Sequence, residues 1–438
     1  METAKTRTPD VSVTQNRERG SGARDSCEAP AVLDVDFVRQ QFPALDDEWA
    51  FFDNAGGSVP AVQVIDRVSA YMRRFGVQLG ASYPRSLQAV EHVTAGKAAM
   101  ANLFNAAPEE VVLNGSTTMN TFLLARAVRA LLEPGDRIVV TNLDHEANIG
   151  AWRRLEAEGI EVFEWPFSLD DHRLHFEQLE PLLNDRTRLV SFTHCANVVG
   201  SIHDVAELGR KIHDAGALVC VDGVAYAPHR RVDFAALDVD FYLASLYKIY
   251  GPHQGVMLGK AEHLRRLENQ NHHFIPEEQL AYRMAPGNVN HELTASLPGI
   301  VEYLETVDAR HAQADEPDLG ARLDRVFRHI ADHEERIVGP LLDYLDSRDD
   351  VRILGERSPA AELRVPTVAF TVDGRHASDI PTALDEAKVA IRWGDFYAQR
   401  AIEALDLTAS GGVVRVSMVH YNSLEEVERL IEALDRVL

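Results

Sequence analysis

Lys248 is placed where a lysine needs a chemical explanation. It stands in the string SLYKIYGP, directly after the apolar run DFYLA, and lysine is almost never fully buried unless it is paired. Asp222 ends the apolar run ALVCVD, His145 follows RIVVTNLD, and Ser116 and Thr117 lie in the turn NGSTTMN before a predicted helix. An amine, a carboxylate, an imidazole and two hydroxyls at such positions could bind one ligand that has an aldehyde, a ring nitrogen and a phosphate.

Pyridoxal 5′-phosphate (PLP) is a ligand with these three groups. A lysine amine bonds covalently to its aldehyde, and a carboxylate keeps its pyridine nitrogen protonated so that the ring accepts electron density. Hydroxyls at a helix N-terminus bind its phosphate. Lys248, Asp222 and the pair Ser116 and Thr117 would take these roles, with His145 covering the ring. Each residue alone has an ordinary explanation, such as a helix cap, so the prediction rests on the whole set.

These residues would be positioned by strands and helices that alternate between about residues 50 and 260. Apolar runs of strand length lie at 137–141, 161–163, 188–194, 217–222, 240–245 and 255–258, and helix patterns lie at 117–132, 146–158 and 205–215. Such alternation predicts an α/β fold with a largely parallel sheet that is covered on both faces. Ligands bind such sheets outside the carboxyl ends of the strands, which is where Lys248 and Asp222 stand.

The rest of the chain predicts a second, smaller α/β domain. Helical patterns run from 297 to 347, and the strand candidates TVAFTV, KVAIRW and VVRVSMVHY precede the closing helix LEEVERLIEALDRVL. The polar start lacks the residues to build a core. We therefore expect a disordered tail, an N-terminal segment of the small domain, a large PLP-binding domain and a small C-terminal domain, at 1–31, 32–50, 51–296 and 297–438. A linker around 288–297 would join the two domains.

The composition argues against several classes of partner. The 438 residues include 68 acidic and 44 basic side chains, a net charge of −24, and such a field repels nucleic-acid phosphates and anionic membranes. No apolar run approaches the roughly 18 residues of a membrane helix. Three cysteines without CxxC spacing fit a reducing, cytoplasmic location and argue against a disulfide framework or a cysteine zinc site.

Other cofactors have less support in the sequence. No GxGxxG follows the first strand and no P-loop GK[ST] is present, so a nicotinamide or nucleotide site is not indicated. The spacings of His145, His194, His272 and His273 match no metal-ligand pattern, and we expect no metal.

Six ordered motifs resemble one protein family, the class V aminotransferases and cysteine desulfurases. They are FFDNAGGSVP, NGSTTMNTFLLARAV, DHEANIGAW, THCANVVGSIHDVAEL, VDGVAYAPH followed by SLYKIYGP, and VVRVSMVHYNSLEEVERL. The resemblance covers nearly everything from about residue 35 to 438. It implies a PLP-dependent enzyme of fold type I, with a large domain, a smaller C-terminal domain and an amino acid as substrate.

The resemblance also implies a role for each matching position. Lys248 would bond to the cofactor and then move the proton at the substrate α-carbon, Asp222 would pair with the pyridine nitrogen, and His145 would stack on the ring. Asn197 would lie near the ring hydroxyl, and Arg415 would bind the substrate α-carboxylate as a planar fork. The residues implied to bind phosphate are Ser116, Thr117, Ser245 and, in the place of a family histidine, Tyr247.

One implied role involves the site of a second subunit. The string PGNVNHE resembles the family loop that reaches the partner's phosphate, and Asn288 stands where threonine is usual. The resemblance therefore implies a homodimer with shared sites.

At three places the sequence departs from the desulfurase pattern. Tyr397, in RWGDFYAQ, stands at or near the position of the loop cysteine that attacks the substrate sulfur, and no cysteine lies after residue 220. Ala225 stands where Gln or His usually bonds the ring oxygen, and Tyr226 beside it could replace that bond or face away. The segment GASYPRS also differs, which makes Tyr83 and Arg85 candidate substrate contacts.

These departures shape the expected reaction. Persulfide transfer would require Cys195 or Cys220 in place of the loop cysteine, and both are expected to be small core residues. We therefore expect a C–S lyase that loses the α-proton to Lys248 and then expels a group from the β-carbon. The alternatives are a class V aminotransferase, an epimerase or decarboxylating variant and, in a different class, an inactive binding protein that keeps the fold.

Overall fold

The computed structural model describes residues 32–45, 48–312 and 316–438, and the tail predicted at 1–31 lies outside the described residues. The strands are, in chain order, β1 (Ala50–Phe51), β2 (Val111–Asn114), β3 (Arg137–Thr141), β4 (Glu161–Trp165), β5 (Thr187–Thr193), β6 (Leu218–Asp222), β7 (Phe241–Ser245), β8 (Gly255–Gly259), β9 (Val351–Leu354), β10 (Thr367–Val372), β11 (Val389–Ala390), β12 (Arg392–Gly394) and β13 (Val413–Ser417).

The helices cover these strands and connect them. The α-helices are α1 (Val35–Arg39), α2 (Val62–Arg74), α3 (Pro84–Phe104), α4 (Thr117–Arg129), α5 (Gly150–Arg153), α6 (Phe176–Leu179), α7 (Val205–Asp214), α8 (Phe234–Leu237), α9 (Ala261–Arg266), α10 (Leu280–Arg283), α11 (His291–Ser296), α12 (Pro298–His311), α13 (Leu319–Asp346), α14 (Asp379–Leu384), α15 (Gln399–Ala404) and α16 (Leu424–Val437). Short 3₁₀ turns lie at Pro43–Leu45, Pro108–Glu110, Glu146–Asn148, Arg154–Glu158, Glu180–Leu182, Leu246–Lys248 and Asp385–Ala387.

Seven strands form the larger sheet, in the order β2-β8-β7-β6-β5-β3-β4. The pairs from β4 to β7 are all parallel, whereas β8 is antiparallel to both β7 and β2. The predicted α/β fold with a largely parallel sheet is therefore confirmed. Because parallel strands end at one edge, the segments after β3, β5, β6 and β7 meet there.

The central strands are apolar because both faces of the sheet are covered. Along β6, Val219 and Val221 pack into one hydrophobic core and Cys220 into another, on the opposite face. This alternation follows the two-residue period of a strand, and both faces being apolar is typical of a parallel sheet covered by helices. The strand ends are thereby held rigidly, which fixes the side chains that follow them.

The smaller sheet is antiparallel, in the order β12-β13-β10-β9. Helices α13 and α16 contribute to the hydrophobic core packed against it, with Ile337, Leu341 and Leu430 beside Phe370 and Val416. The segment KVAIRW was expected to form one strand, but it is divided. Its β11 pairs with β1 in a separate two-stranded sheet, and its β12 pairs with β13, because the chain changes its hydrogen-bonding partner at residue 391.

Two other segments differ from the sequence-based expectation. The segment 146–158 is a 3₁₀ turn, the short helix α5 and another 3₁₀ turn rather than one helix, and it contains Gly150, a residue of low helix propensity. The amide of Glu146 donates to the carbonyl of Tyr397 and that of Ala147 to His145 Nδ1. The predicted linker at 288–297 contains α11, whose first turn is capped by the Asn290 side chain.

Residues Val32–Leu438 form one compact unit, and the domain boundaries at 50/51 and 296/297 stay predictions. Among the described residues, no helix has both the length and the apolar character needed to span a bilayer.

Candidate active site

A cavity of about 500 Å³ lies at the carboxyl edge of the larger sheet. It is lined by Ser116, Thr117, Thr118, His145, Ala147, Thr193, Cys195, Asn197, Asp222, Val224, Ala225, Ser245, Tyr247 and Lys248. Eight residues that the sequence proposed for cofactor binding are therefore brought together. A second cavity of about 650 Å³ adjoins it, shares His145, Asn197, Tyr247 and Lys248 with it, and is also lined by Arg415.

Lys248 ends the 3₁₀ turn that follows β7, and it is only 8% exposed. Burial lowers its pKa to about 8, with a further lowering by Arg415 that is opposed by Asp222. A buried lysine with a lowered pKa is partly unprotonated near neutral pH, which is the form that attacks an aldehyde.

Asp222 is the last residue of β6 and is 6% exposed. Its Oδ1 accepts a hydrogen bond of 2.9 Å from the Val224 amide. Burial raises its pKa to about 6, against the opposing effects of that hydrogen bond and of Lys248. A cationic ring nitrogen beside this carboxylate would favour its ionised form, so the position fits a pyridinium.

The N-terminus of α4 forms a pocket lined with hydroxyls. Ser116 is the N-cap and accepts a hydrogen bond from the Met119 amide, and Thr117 Oγ1 lies 2.8 Å from Ser245 Oγ. Gly255 on β8 lets this turn approach closely, because a Cβ there would lie 2.3 Å from the carbonyl carbon of Ser116. A helix N-terminus with hydroxyl donors fits a phosphate dianion.

Tyr247 lies beside this pocket and its ring stacks on His253, with centroids 4.7 Å apart and the planes inclined by 7°. Burial raises the pKa of its phenol, which is therefore a hydrogen-bond donor at neutral pH. The sequence placed this tyrosine with the phosphate ligands, and it lines the cavity with them.

His145 presents an uncharged ring to the cavity. Its Nδ1 accepts a hydrogen bond of 3.0 Å from the Ala147 amide. Burial, followed by Lys248 and Arg415, lowers its pKa to about 4. A neutral imidazole held in this way fits the predicted stacking on a cationic aromatic ring.

Asn197 follows β5, and its Nδ2 donates a 3.0 Å hydrogen bond to the carbonyl of Phe396. Its Oδ1 is buried and has no hydrogen-bond partner among the described residues. A buried acceptor without a donor is costly, and the ring hydroxyl of PLP is a donor of the required kind. Together with the phosphate pocket and Asp222, this atom shows that the residues present fit PLP.

Arg415, on β13, is the most tightly held cation of the site and is 2% exposed. It donates to the Asn197 carbonyl (3.1 Å) and to Asp53 Oδ1 (3.2 Å), and its guanidinium lies 3.7 Å from the Phe396 ring centroid. Burial lowers its pKa to about 10, so it stays charged at neutral pH. It therefore offers a fixed cation to a carboxylate.

Tyr397 covers the outer side of His145. The two rings stack with centroids 5.2 Å apart, and the Tyr397 carbonyl accepts a 2.7 Å hydrogen bond from the Glu146 amide. Phe396 and Tyr397 both have positive φ, of 52° and 58°, which is costly for residues other than glycine. Contacts with the sheet edge thus hold this loop, residues 394–398, in place.

Cys195 is the one cysteine among the residues that line the first cavity. It is buried, donates weakly to the Gly200 carbonyl at 3.3 Å, and burial raises its pKa to about 12. Burial also raises the pKa of Cys220. Both cysteines are buried, as expected for small core residues, and their thiols are neutral.

Four of the sequence-based candidates lie away from both cavities. Tyr226 does not take the place of the missing Gln or His beside Ala225, since its ring stacks on His194 at 3.5 Å. Tyr83 and Arg85 are exposed at the start of α3. Asn288 is exposed on a loop with φ of 103°, and its Oδ1 accepts from the Val289 amide. Substrate contacts by Tyr83 and Arg85, and a partner-phosphate contact by Asn288, stay predictions.

Sequence reasoning missed three charged residues of the site. Asp53, Arg392 and Asp395 all lie near Arg415 or line the second cavity. It also missed Asp144, whose pKa is raised to about 8 by burial and then by Asp222. Asp53 lies in the motif FFDNAGG and Asp144 in the motif DHEAN. Both motifs were recognised, but the residues next to these two aspartates in the sequence gave no indication of their role.

Comparisons with known proteins agree with this site. The model of the family described as "Aminotransferase class-V" matches residues 50–316 and 318–430. The aminotransferase-like protein FGM3 of Gibberella zeae is 37% identical over 412 residues, covering 92% of this chain and 98% of that protein. The cysteine desulfurase-like protein ustD of Aspergillus flavus is 36% identical over 419 residues, with 93% and 91% covered.

A solved structure shows that the fold of this chain is also similar to that of a known protein. The cysteine desulfurase CsdA of Escherichia coli superposes with a TM-score of 0.77 at 26% identity, covering 93% of this chain and 99% of that one. The predicted fold type I and the predicted cofactor are therefore confirmed. This chain belongs to the class V aminotransferase family, whose members, the cysteine desulfurases among them, depend on PLP.

Proposed function

We propose that the protein is a PLP-dependent C–S lyase, which removes a sulfur-containing group from the β-carbon of an amino acid. The observation that carries this proposal is the pair of adjoining cavities, which places Lys248 beside Arg415 without a reactive thiol. Cys195 is buried and neutral, so it is poorly suited to accept the sulfur. Elimination into solution needs no such acceptor.

The chain's own residues suit this reaction. Arg415 would bind the α-carboxylate, and Lys248 Nζ would take the α-proton. The bound cofactor supplies the electron sink that makes this proton acidic, and Asp222 keeps the ring nitrogen charged. Once Lys248 holds this proton, the β-substituent would leave as an anion and an α,β double bond would remain in the substrate. His145 and Tyr397 would cover the site against water.

The names of two relatives favour different reactions on the same cofactor. The Aspergillus flavus relative is called cysteine desulfurase-like, which supports chemistry at a sulfur-bearing β-carbon. The Gibberella zeae relative is called aminotransferase-like, which supports transfer of the amino group to a keto acid. Both reactions begin with the same proton transfer, so a product assay must separate them.

The test combines spectroscopy with product analysis on the PLP-loaded protein. We expect a visible absorption band of the bound cofactor in the wild type and in the surface control Lys211→Ala, and its loss in Lys248→Ala. With cysteine-like substrates we expect pyruvate, ammonia and the sulfur-containing anion in equal amounts. A stoichiometric keto acid with amino transfer and no released sulfur species would support the aminotransferase instead. A protein that binds no PLP would contradict both.

We also propose that the protein is a cytoplasmic homodimer with Asn288 of one subunit near the phosphate of the other. Three large apolar side chains support an interface, since Met72, Leu87 and Met119 are exposed by 64%, 51% and 42%. Met119 lies in the first turn of α4, beside the phosphate pocket. The cytoplasmic location is supported only by the sparse cysteines.

Light scattering tests the assembly. We expect twice the 48.7 kDa mass of one chain, and a weaker PLP affinity for Asn288→Ala although this residue lies outside its own chain's cavities. A monomer at every concentration, or unchanged PLP affinity in the variant, would contradict the shared site.

A further inference from the structure

An exposed aromatic side chain packs on the histidine that faces the cofactor cavity. Tyr397 is 71% exposed, yet its ring stacks on His145 with centroids 5.2 Å apart and planes inclined by 28°. Tyr397 stands at or near the position of the desulfurase loop cysteine, and no cysteine follows residue 220. The stacked ring therefore belongs to this chain's departure from the desulfurase pattern.

The backbone that carries this ring is in a costly conformation. Phe396 and Tyr397 have φ of 52° and 58°, and such values are uncommon for aromatic residues. Strain of this kind persists only where the surroundings hold it, and it concentrates at functional sites. Glycine or asparagine would form the same turn at a lower cost, so the turn alone does not explain an aromatic residue at this position.

Hydrogen bonds hold the loop 394–398 through its backbone and leave the Tyr397 ring to its contact with His145. The Tyr397 amide donates to Asp395 Oδ1 at 2.9 Å, and its carbonyl accepts from the Glu146 amide at 2.7 Å. Among the described residues, the Tyr397 hydroxyl has no hydrogen-bond partner. The backbone bonds would remain in a variant without the ring, so substitution can separate the ring contact from the fold of the loop.

His145 is fixed at one edge and on its outer face. Its Nδ1 accepts a 3.0 Å hydrogen bond from the Ala147 amide, and the turn around it is tied by Asp144 Oδ1, which accepts from Asn148 Nδ2 at 2.9 Å. Burial lowers the pKa of His145 to about 4, so the ring is uncharged. The ring thus has one face on Tyr397 while it lines the cavity itself.

We propose that Tyr397 is a positioning residue, which holds the His145 ring in the orientation that stacks on the cofactor. Where a desulfurase has its nucleophile, the loop 394–398 of this chain supplies a second aromatic layer. A contact group that is already ordered loses less entropy when a ligand binds, so the ring strengthens PLP binding without touching PLP. The inference requires PLP binding alone, and it holds for elimination and for amino transfer alike.

PLP titration of the PLP-free protein tests this role. We expect Tyr397→Ala to bind PLP about two- to tenfold more weakly than the wild type, on the scale of one aromatic pair. Tyr397→Phe keeps the ring and should bind like the wild type. Tyr397→Cys introduces the desulfurase residue type without the ring and should resemble the alanine variant. The denaturant midpoints of the PLP-free variants should match that of the wild type, because the side chain is mostly exposed.

Circular dichroism of the visible band gives a signature that a merely structural contact would not change. We expect a smaller signal per bound cofactor in Tyr397→Ala, because a loosely held His145 ring leaves the cofactor less fixed, and the wild-type signal in Tyr397→Phe. Phe274→Ala is the matched control. Phe274 is 68% exposed, stacks on His272 with centroids 5.3 Å apart and lines neither cavity, so its loss should change neither PLP affinity nor the signal.

Several results would overturn the inference. Wild-type affinity and signal in Tyr397→Ala or Tyr397→Cys would show that the ring is not needed, and a Tyr397→Phe as weak as the alanine variant would assign the effect to the hydroxyl. An equal loss in Phe274→Ala would show that the effect is not specific to this stack. The expected affinities in a protein that eliminates nothing would remove the lyase proposal alone, whereas a wild type that binds no PLP would contradict both.

Discussion

At the scale of single residues, burial determines the protonation states of the side chains that meet at the sheet edge. It lowers the pKa of Lys248 to about 8 and raises that of Asp222 to about 6. In both cases burial disfavours the charged form. A cationic ring nitrogen would restore the charge of Asp222, and an unprotonated amine on Lys248 is the form that bonds to an aldehyde, so both environments suit PLP binding.

The lowered pKa of Lys248 predicts how PLP-free protein reacts with added PLP. Only the unprotonated amine attacks the aldehyde, and its fraction rises as the pH rises through about 8. We expect the rate at which the visible band appears to increase from pH 7 and to level off above about pH 9. Stopped-flow absorbance measures this rate. A rate that is flat over this range, or that keeps rising past pH 10 as for an exposed lysine, would contradict the prediction.

At the scale of elements, the loop 394–398 connects the two halves of the site. It carries Phe396, which packs on Arg415, and Tyr397, which stacks on His145. Its two positive φ values are costly in isolation, and hydrogen bonds from Asn197 and Glu146 to its carbonyls hold it. The smaller sheet thereby orients Arg415 relative to the cavity at the edge of the larger sheet.

The loop predicts a defect in substrate binding for Phe396→Ala. Loss of the cation–π contact with Arg415 should raise KM about twofold to thirtyfold, the range that corresponds to about 0.5–2 kcal/mol, with a smaller change in kcat. Phe396→Tyr keeps an aromatic face and should behave like the wild type. Steady-state kinetics measure both, and an unchanged KM in the alanine variant would show that the ring does not orient Arg415.

The N-terminus of α4 predicts two separable effects of Ser116→Ala. Loss of the cap should lower the free energy of unfolding by about 1 kcal/mol, and loss of a hydroxyl donor should weaken PLP binding roughly tenfold. Ser423 caps α16 in the same way, and it lines neither cavity. Ser423→Ala should therefore show the stability loss alone. Denaturant titration and PLP titration measure the two, and equal PLP affinities would refute the phosphate role.

At the scale of the whole molecule, buried polar contacts join the region of the larger sheet to the C-terminal helices. Glu334 on α13 is fully buried and accepts hydrogen bonds from His229 Nδ1 (2.8 Å) and Arg230 Nη1 (2.6 Å). His229 and Arg230 follow β6 and Asp222 along the chain. The segment that follows Asp222 is therefore anchored on α13.

This contact predicts a large loss of stability for Glu334→Ala. Removing one member of a buried charged cluster leaves its partners without a counter-charge, which costs about 3–5 kcal/mol. Glu302 pairs with Arg67 at the surface, and Glu302→Ala should cost about 1 kcal/mol or less. Chemical unfolding of both variants at equal PLP concentration measures the difference. Similar losses in the two variants would contradict this role for the cluster.

Local pattern in the sequence was enough to identify residues that the fold brings to one cavity. Continuous apolar runs end at Asp222 and shortly before Lys248, and a Ser-Thr turn precedes a helix at Ser116. Each signal lies within a few neighbouring residues, and the parallel sheet then brings the strand ends together by a general rule. The match to the family motifs indicated two further residues, Arg415 and Asn197, each from its own position in a motif.

Contacts between distant parts of the chain could not be obtained in this way. Asp53 meets Arg392 and Arg415 across more than 330 positions, Tyr226 turns to His194, and KVAIRW divides between two sheets. No local periodicity encodes which charged side chains share a cavity, because that depends on how the strands of one sheet lie against the edge of the other. The cofactor could thus be predicted from the sequence, whereas only the packing of the two sheets determined that Asp53, Arg392 and Arg415 lie together beside the cavity.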